Sequence, residues 1–204
     1  MSLSRLVLWR HGETDHNATG RLQGQLDTHL TEKGRAQARR AAPALVRFEP
    51  GVVVTSDLRR ASDTAAAFHA ITGIDTRVDT RLRETHIGDW EGLSGIEVEE
   101  GWPGGLTRWR EDPQWGPPGG ESRVQVAERS EAVVAELDAE RTGTAMLCAH
   151  GGLIVALTGR LLGLSPAQWP QLIGIGNCHW TVLERRADDG LRWRLRQYNA
   201  GVVE

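Results

Sequence analysis

Short apolar runs alternate with stretches of helical period along this 204-residue chain, and that alternation predicts most of its elements. Leu6 to Trp9 is an unbroken apolar run, the pattern of a strand buried on both faces. Leu30, Gly34, Ala38, Ala41 and Leu45 then recur at helical spacing, and Thr31 stands where it caps a helix from about Glu32 to Val46. Val52-Val53-Val54 reads as a second buried strand, and Leu58, Ala61, Ala65 and Phe68 mark the inner stripe of a helix after Ser56. Thr76 to Asp79 fits a short strand with one solvated face. Ser122 and Gln125 form a capping box for a helix reaching about Glu140. Ala145 to Ala149 is a further buried strand, Gly151-Gly152 leads into an apolar helix, and Ser165-Pro166-Ala167-Gln168 caps another short one. Trp180 to Leu183 and Leu191 to Leu195 complete the series as two strands, joined as a hairpin through Asp188-Asp189-Gly190.

One region breaks the rhythm. From Arg81 to Glu121 the chain offers only short helical pieces among tryptophans, glycines and the breaker Pro117-Pro118-Gly119-Gly120. An irregular stretch of that length within a compact domain is usually functional or disordered. The tryptophans favour order, so the stretch is read as a cap over a site. Strands alternating with helices predict an α/β fold, a three-layer α/β/α sandwich around a mostly parallel sheet. The whole of 1–204 is read as one domain, with the cap inserted at about 81–121.

Composition narrows the function only by exclusion. A 39% hydrophobic and 25% charged chain with net charge -3 gives no reason to expect nucleic acid or an anionic membrane as partner. Cys148 and Cys178 have no CxxC partner and no histidine at metal spacing, and both lie in strand-like runs, so they read as small buried hydrophobes. The most apolar stretch, Leu153 to Leu164, is interrupted by Arg160 and too short to span a bilayer. No apolar leader follows Met1. These features together predict a reducing cytoplasm.

The chemistry sits where strands end. In parallel-rich sheets ligands bind beyond the carboxyl ends of the strands. Three ends here carry polar groups: Arg10-His11 after Trp9, Ser56 to Arg60 after Val54, and His150-Gly151-Gly152 after Ala149. Arginine suits a phosphate monoester, because its planar fork makes two charge-assisted bonds at once. Arg10 and either Arg59 or Arg60 fit that role; the latter two are adjacent on a helix and cannot both face the site. Helix N-termini after Ser56 and Gly151 add backbone N–H groups. One histidine can attack phosphorus if its reacting nitrogen is unprotonated, and the second, if protonated, donates to the phosphoryl oxygens. Glu84 is the candidate acid for the leaving alkoxide. Gly174-Ile175-Gly176 lacks the rest of a dinucleotide loop, no GxxxxGK occurs, and the arginines would repel a zinc ion from His11 and His150. No cofactor and no metal are expected.

Four segments, Arg10-His11-Gly12-Glu13-Thr14, Ser56-Asp57-Leu58-Arg59-Arg60-Ala61, Leu82-Arg83-Glu84 with Gly88-Asp89-Trp90-Glu91-Gly92, and Ala149-His150-Gly151-Gly152, resemble the histidine phosphatase superfamily in its phosphoglycerate-mutase-like branch. The resemblance spans nearly the whole chain. It implies a phosphoglycerate-mutase-like fold, His11 as the nucleophile that becomes phosphohistidine, Arg10, Arg60 and His150 as the phosphate pocket, and Glu84 as proton donor. The family arginine directly precedes an alanine, which selects Arg60. Asn17 and Gln23 match positions that contact phosphate and substrate. Gly24, His86 and Gly151 complete the expected substrate-binding set, with packing against the cap as the alternative for His86. The family needs no metal.

Two departures from the true mutases favour hydrolysis. The chain has Arg83-Glu84-Thr85-His86-Ile87-Gly88 where those enzymes resemble Glu-Arg-His-Tyr-Gly, and it lacks their longer insertion. A nearer likeness is to the actinobacterial glucosyl-3-phosphoglycerate phosphatases. It is carried by Arg21 to Thr28, Thr80 to His86, Trp109-Arg110-Glu111-Asp112, Gly119 to Arg123 and Trp169-Pro170. The expected activity is hydrolysis of a small phosphorylated metabolite such as glucosyl-3-phosphoglycerate. The alternatives are a phosphoglycerate mutase and a non-catalytic phospho-ligand-binding relative, which would be expected to lose His11 or Glu84. No nucleic-acid or membrane partner is expected, and a homodimer is compatible with the sequence.

Overall fold

The computed structural model describes residues 2–185 and 192–202. Strands β1 (Leu3–Arg10), β2 (Pro50–Thr55), β3 (Thr76–Val78), β4 (Gly143–Ala149), β5 (Trp180–Glu184) and β6 (Arg194–Ala200) form one sheet in the order β3-β2-β4-β1-β5-β6. The first four in that order run parallel, and β5 and β6 pair antiparallel. Successive side chains of a strand point to opposite faces. In β1, Leu6 and Leu8 join the core on one side of the sheet while Val7 and Trp9 join the core on the other. Both faces are covered, which is why the inner strands read as continuous apolar runs.

Helices α2 (Glu32–Val46) and α3 (Arg59–Thr72) supply Ala38, Ala41, Leu45, Ala61, Ala65 and Phe68 to the Trp9 side. Helices α6 (Arg123–Glu140) and α7 (Gly151–Leu161) supply Val133, Leu137, Leu153 and Leu157 to the Leu8 side. The three-layer sandwich is thus formed. Thr31 accepts from the Gly34 N–H and opens α2 at the expected residue, and Ser122 with Gln125 forms the expected capping box of α6. Gly34 has a further reason to be glycine. A Cβ there would lie 2.0 Å from the Glu13 carbonyl oxygen, and one on Gly12 would lie 2.4 Å from the Gly34 oxygen. The first turn of α2 is seated directly on the loop that follows β1.

Residues 80–121 contain two 3-10 turns (Thr80–Leu82 and Gly88–Trp90) and two short helices, α4 (Gly95–Gly101) and α5 (Gly105–Glu111). The segment has its own small core around fully buried Trp90, whose ring stands 6.2, 6.1 and 5.7 Å from those of Trp102, Trp109 and Trp115. Arg129 of α6 anchors it, donating to the Glu121 carboxylate and to the carbonyls of Arg81 and Glu84. Arg83 is paired with Asp57 in the loop before α3.

Two expectations are corrected and a third is specified further. The last strand runs over Arg194–Ala200 instead of Leu191 to Leu195; Leu191 and the turn Asp188-Asp189-Gly190 lie outside the described residues. This edge strand exposes Arg194, Leu195 and Arg196 and so carries no apolar run. Cys178 is buried as expected but stands in a turn before β5 with φ of 56°, while Cys148 lies within β4. The element capped by Ser165 is a 3-10 helix, Pro166–Gln171. Among the described residues, no helix is long and apolar enough to cross a membrane.

Candidate active site

β1 and β4 are adjacent, parallel and in register, with Arg10 opposite Ala149. The next residue of each strand is therefore a histidine on the same edge of the sheet. The His11 N–H donates to the Ala149 carbonyl at 3.0 Å, and the rings of His11 and His150 are 5.2 Å apart. β2 flanks β4 on the other side, and Ser56 after it donates to the Cys148 carbonyl before α3 begins. Three strand ends so converge on a cavity of about 170 Å³, lined by Arg10, His11, Asn17, Gln23, Gly24, Arg60 and Glu84 from the expected set.

The histidines are held in opposite tautomers. His11 Nδ1 is 2.7 Å from the Gly12 carbonyl oxygen, which can only accept, so Nδ1 carries the hydrogen and Nε2 keeps its lone pair. Burial, reinforced by the Arg10 and Arg60 guanidinium groups, holds the His11 pKa well below its usual 6.5. At His150 the order is reversed. Arg60 Nε donates to Nδ1 at 3.2 Å, which leaves the hydrogen of the neutral ring on Nε2, a buried atom with no hydrogen-bond partner. Burial and then Arg60 keep the His150 pKa well below 6.5 too. The condition set on the second histidine, that it donates if protonated, is met in another way: His150 offers its Nε2–H as a neutral ring.

Arg60 is fully buried at the start of α3. Its Nη1 donates to the Leu26 carbonyl at 2.6 Å and Nη2 to that of Gly24 at 2.8 Å. Burial lowers its pKa to about 10, which still leaves it a cation at neutral pH. Gly24 thus serves the site through the carbonyl that fixes this guanidinium. Arg59 turns outward to Asp27, which settles the choice between the two arginines. Arg10 donates to the Ile175 carbonyl and keeps a buried, unpartnered Nε; a Cβ on Gly151 would stand 3.3 Å from that nitrogen.

Glu84 lies across the N-terminus of α7. Oε2 accepts from Gly152 N–H at 2.9 Å, and Oε1 from Leu153 N–H at 3.1 Å and Thr85 N–H at 2.8 Å. The Gly152 and Leu153 amides, expected to face a phosphate, here orient the carboxylate. Asn17 Oδ1 accepts from Thr14 N–H at 3.2 Å and Asn177 Nδ2 at 3.1 Å. Gln23 Oε1 accepts from the hydroxyls of Thr14 and Thr28 at 2.9 and 2.6 Å. With both oxygens occupied, each residue has amide N–H groups left for the cavity it lines.

His86 is not brought to the cavity. Its half-exposed ring pairs with Glu91 at 2.9 Å, and the cavity wall is taken by its neighbours Thr85 and Ile87. The structure thus places His86 as its alternative had it, against the cap, and Gly151 of the expected substrate-binding set is likewise not among the residues lining the cavity. Arg21, Leu22, Trp109 and Gly152 also line the cavity and were not singled out as site residues. Their only sequence signal was membership of the segments 21–28 and 109–112 and of the His-Gly-Gly turn. Among the described residues, no group of three or more His, Cys, Asp or Glu side chains is placed to hold a metal ion.

The family model of the histidine phosphatase superfamily (branch 1) matches residues 6–201. A glucosyl-3-phosphoglycerate phosphatase of Mycobacterium tuberculosis (strain CDC 1551 / Oshkosh) is 50% identical over 216 residues, covering 99% of this chain and 97% of the relative. A probable phosphoglycerate mutase of Salmonella paratyphi C is 35% identical over 178 residues, 85% of this chain and 81% of that one. The solved structure of a mycobacterial glucosyl-3-phosphoglycerate phosphatase in complex with VO3 superposes with a TM-score of 0.93 at 51% identity, covering 97% of this chain and all of that one.

Proposed function

This chain belongs to the histidine phosphatase superfamily (branch 1), and we propose that it is a phosphomonoester hydrolase working through a phosphohistidine, with glucosyl-3-phosphoglycerate as substrate. The observation that carries the reading is the pair of neutral histidines in opposite tautomers, set between the fully buried Arg60 and the half-buried Arg10 guanidinium groups. His11 Nε2 attacks phosphorus, the bond to the ester oxygen breaks, and Glu84, entering as the carboxylic acid, gives that oxygen its proton and is left as the carboxylate. Arg10, Arg60 and the Nε2–H of His150 hold the equatorial oxygens as charge spreads over them. Asn17 and Gln23 add neutral donors. Water then attacks the phosphohistidine, Glu84 takes its proton, and inorganic phosphate leaves. No cofactor enters this sequence.

Identity with a glucosyl-3-phosphoglycerate phosphatase along nearly the full length of both chains supports the substrate. Residues 81–121 act as the cap of a single domain; the tryptophan core and the Arg129 anchor support that role. Burial of both free cysteines is compatible with the cytoplasmic location the reading assumes. Phosphate release should be measured on glucosyl-3-phosphoglycerate, 3-phosphoglycerate and simple sugar phosphates. We expect the first to have the highest kcat/KM, with no net conversion of 3- to 2-phosphoglycerate. Equal low rates on all would refute the substrate, and net isomerisation would favour a mutase.

A further inference from the structure

Most arginines around the cavity are accounted for. Arg10 and Arg60 face the phosphoryl position, Arg21 is paired with Glu97, Arg83 with Asp57 and Arg129 with Glu121. Arg123 is different. Among the described residues it has neither a hydrogen bond nor an ion pair, although it is half-buried. Its guanidinium carbon lies over the ring of Trp109, 5.0 Å from the centroid, and Trp109 forms part of the cavity wall that also includes His11 and Glu84.

Among the described residues, the fold gives the Arg123 cation an aromatic face but no hydrogen-bonded counterion. It is the first residue of α6, an 18-residue helix, where the dipole disfavours positive charge. Half-burial costs it hydration, and the face of Trp109 offsets part of that cost without supplying a hydrogen bond. Burial pulls its pKa down, the Glu84 charge opposes that shift and the Arg110 charge adds to it. A ligand that brings a carboxylate past Trp109 would give the N–H edge of Arg123 the hydrogen-bonded partner it lacks.

We propose that Arg123, held against Trp109, determines specificity by binding a carboxylate of the substrate, so that the preferred substrates are phosphomonoesters of hydroxy acids. This rests on the phosphohydrolase reading and adds to it the feature that is recognised beyond the phosphate. A guanidinium braced on an aromatic face keeps its N–H edge free, and that planar fork matches the two oxygens of a carboxylate. The cavity is small, about 170 Å³, so a group one or two carbons from the phosphate already reaches its wall. Any larger substituent, such as a sugar, extends outward through the mouth.

3-Phosphoglycerate and glycerol 3-phosphate form the discriminating pair, because they differ only in a carboxylate against a hydroxymethyl group. The wild-type protein should prefer the acid in kcat/KM. In Arg123→Gln the KM for 3-phosphoglycerate should rise roughly 10- to 100-fold, the usual effect of losing a charge-assisted bond. Glycerol 3-phosphate should change less than about twofold by the same reasoning. Arg123→Lys, a point charge without the fork, should retain part of the preference. The assignment is overturned if wild type shows no preference for the acid, if Arg123→Gln keeps it, or if both substrates decline equally. The last outcome would mark Arg123 as structural. Failure of wild type to release phosphate from either ester would instead remove the hydrolase reading itself.

Discussion

At the scale of single residues, the site depends on where two hydrogens sit. A backbone carbonyl takes the Nδ1 hydrogen of His11, and a guanidinium N–H occupies Nδ1 of His150, so chemically identical rings keep a lone pair on one Nε2 and a hydrogen on the other, as the proposed nucleophile and donor require. Both are buried among cations and so stay neutral below the pH at which a free histidine charges. The sign follows for stability. With folded pKa values depressed below the unfolded 6.5, their contribution is complete above about pH 6.5 and is lost as pH falls toward the folded values. Nitrogen-15 imidazole NMR on the ligand-free protein should find His11 as the Nδ1–H tautomer and His150 as the Nε2–H tautomer, both unprotonated at about pH 6. A shared tautomer, or either ring titrating near 6.5, would contradict this account of the site.

At the scale of elements, legibility followed local signals. The bounds of α2 could be read because Thr31 caps it and its inner stripe has helical period. The edge strand β6 was misplaced because Arg194, Leu195 and Arg196 are exposed, which erases the alternation a half-buried strand would show. Arg59 and Arg60 are neighbours on one helix, and partners distant in sequence determine which one turns inward: the carbonyls of Gly24 and Leu26 and the His150 ring hold Arg60, while Asp27 holds Arg59 outward. Trp109 and Arg123 meet across a segment without periodicity, so no sequence pattern announces their contact. The seat of α2 on the nucleophile loop predicts an asymmetry between glycines. Gly34→Ala drives a Cβ into the Glu13 backbone and should cost about 1–3 kcal/mol or more in denaturant unfolding, with loss of activity. Gly101→Ala in α4 meets nothing within 4 Å and should be neutral or stabilising by up to about 1 kcal/mol. Equal effects would show that the close approach at Gly34 is relieved at little cost.

At the scale of the molecule, one topological fact assembles the chemistry. β4 is inserted between β1 and β2, so the last parallel strand of the chain delivers His150 between His11 and the start of α3. The motifs could be read in order along the sequence, but their convergence depends on that insertion and on both registers. Across the cavity, residues 80–121 contribute Glu84, Thr85, Ile87 and Trp109 while packing on a core of their own. In the proposed reaction the strand ends hold the phosphoryl group, and residues 80–121 supply Glu84 and the wall toward the rest of the substrate. The central claim is that the phosphoryl group passes through His11. Rapid quenching of turnover with substrate labelled in the phosphate should trap an acid-labile, base-stable label on wild type, mapping to His11 and absent from an inactive His11→Ala variant. Turnover by that variant at the wild-type rate, or release of labelled phosphate with no protein-bound label at any time in the burst, would contradict it.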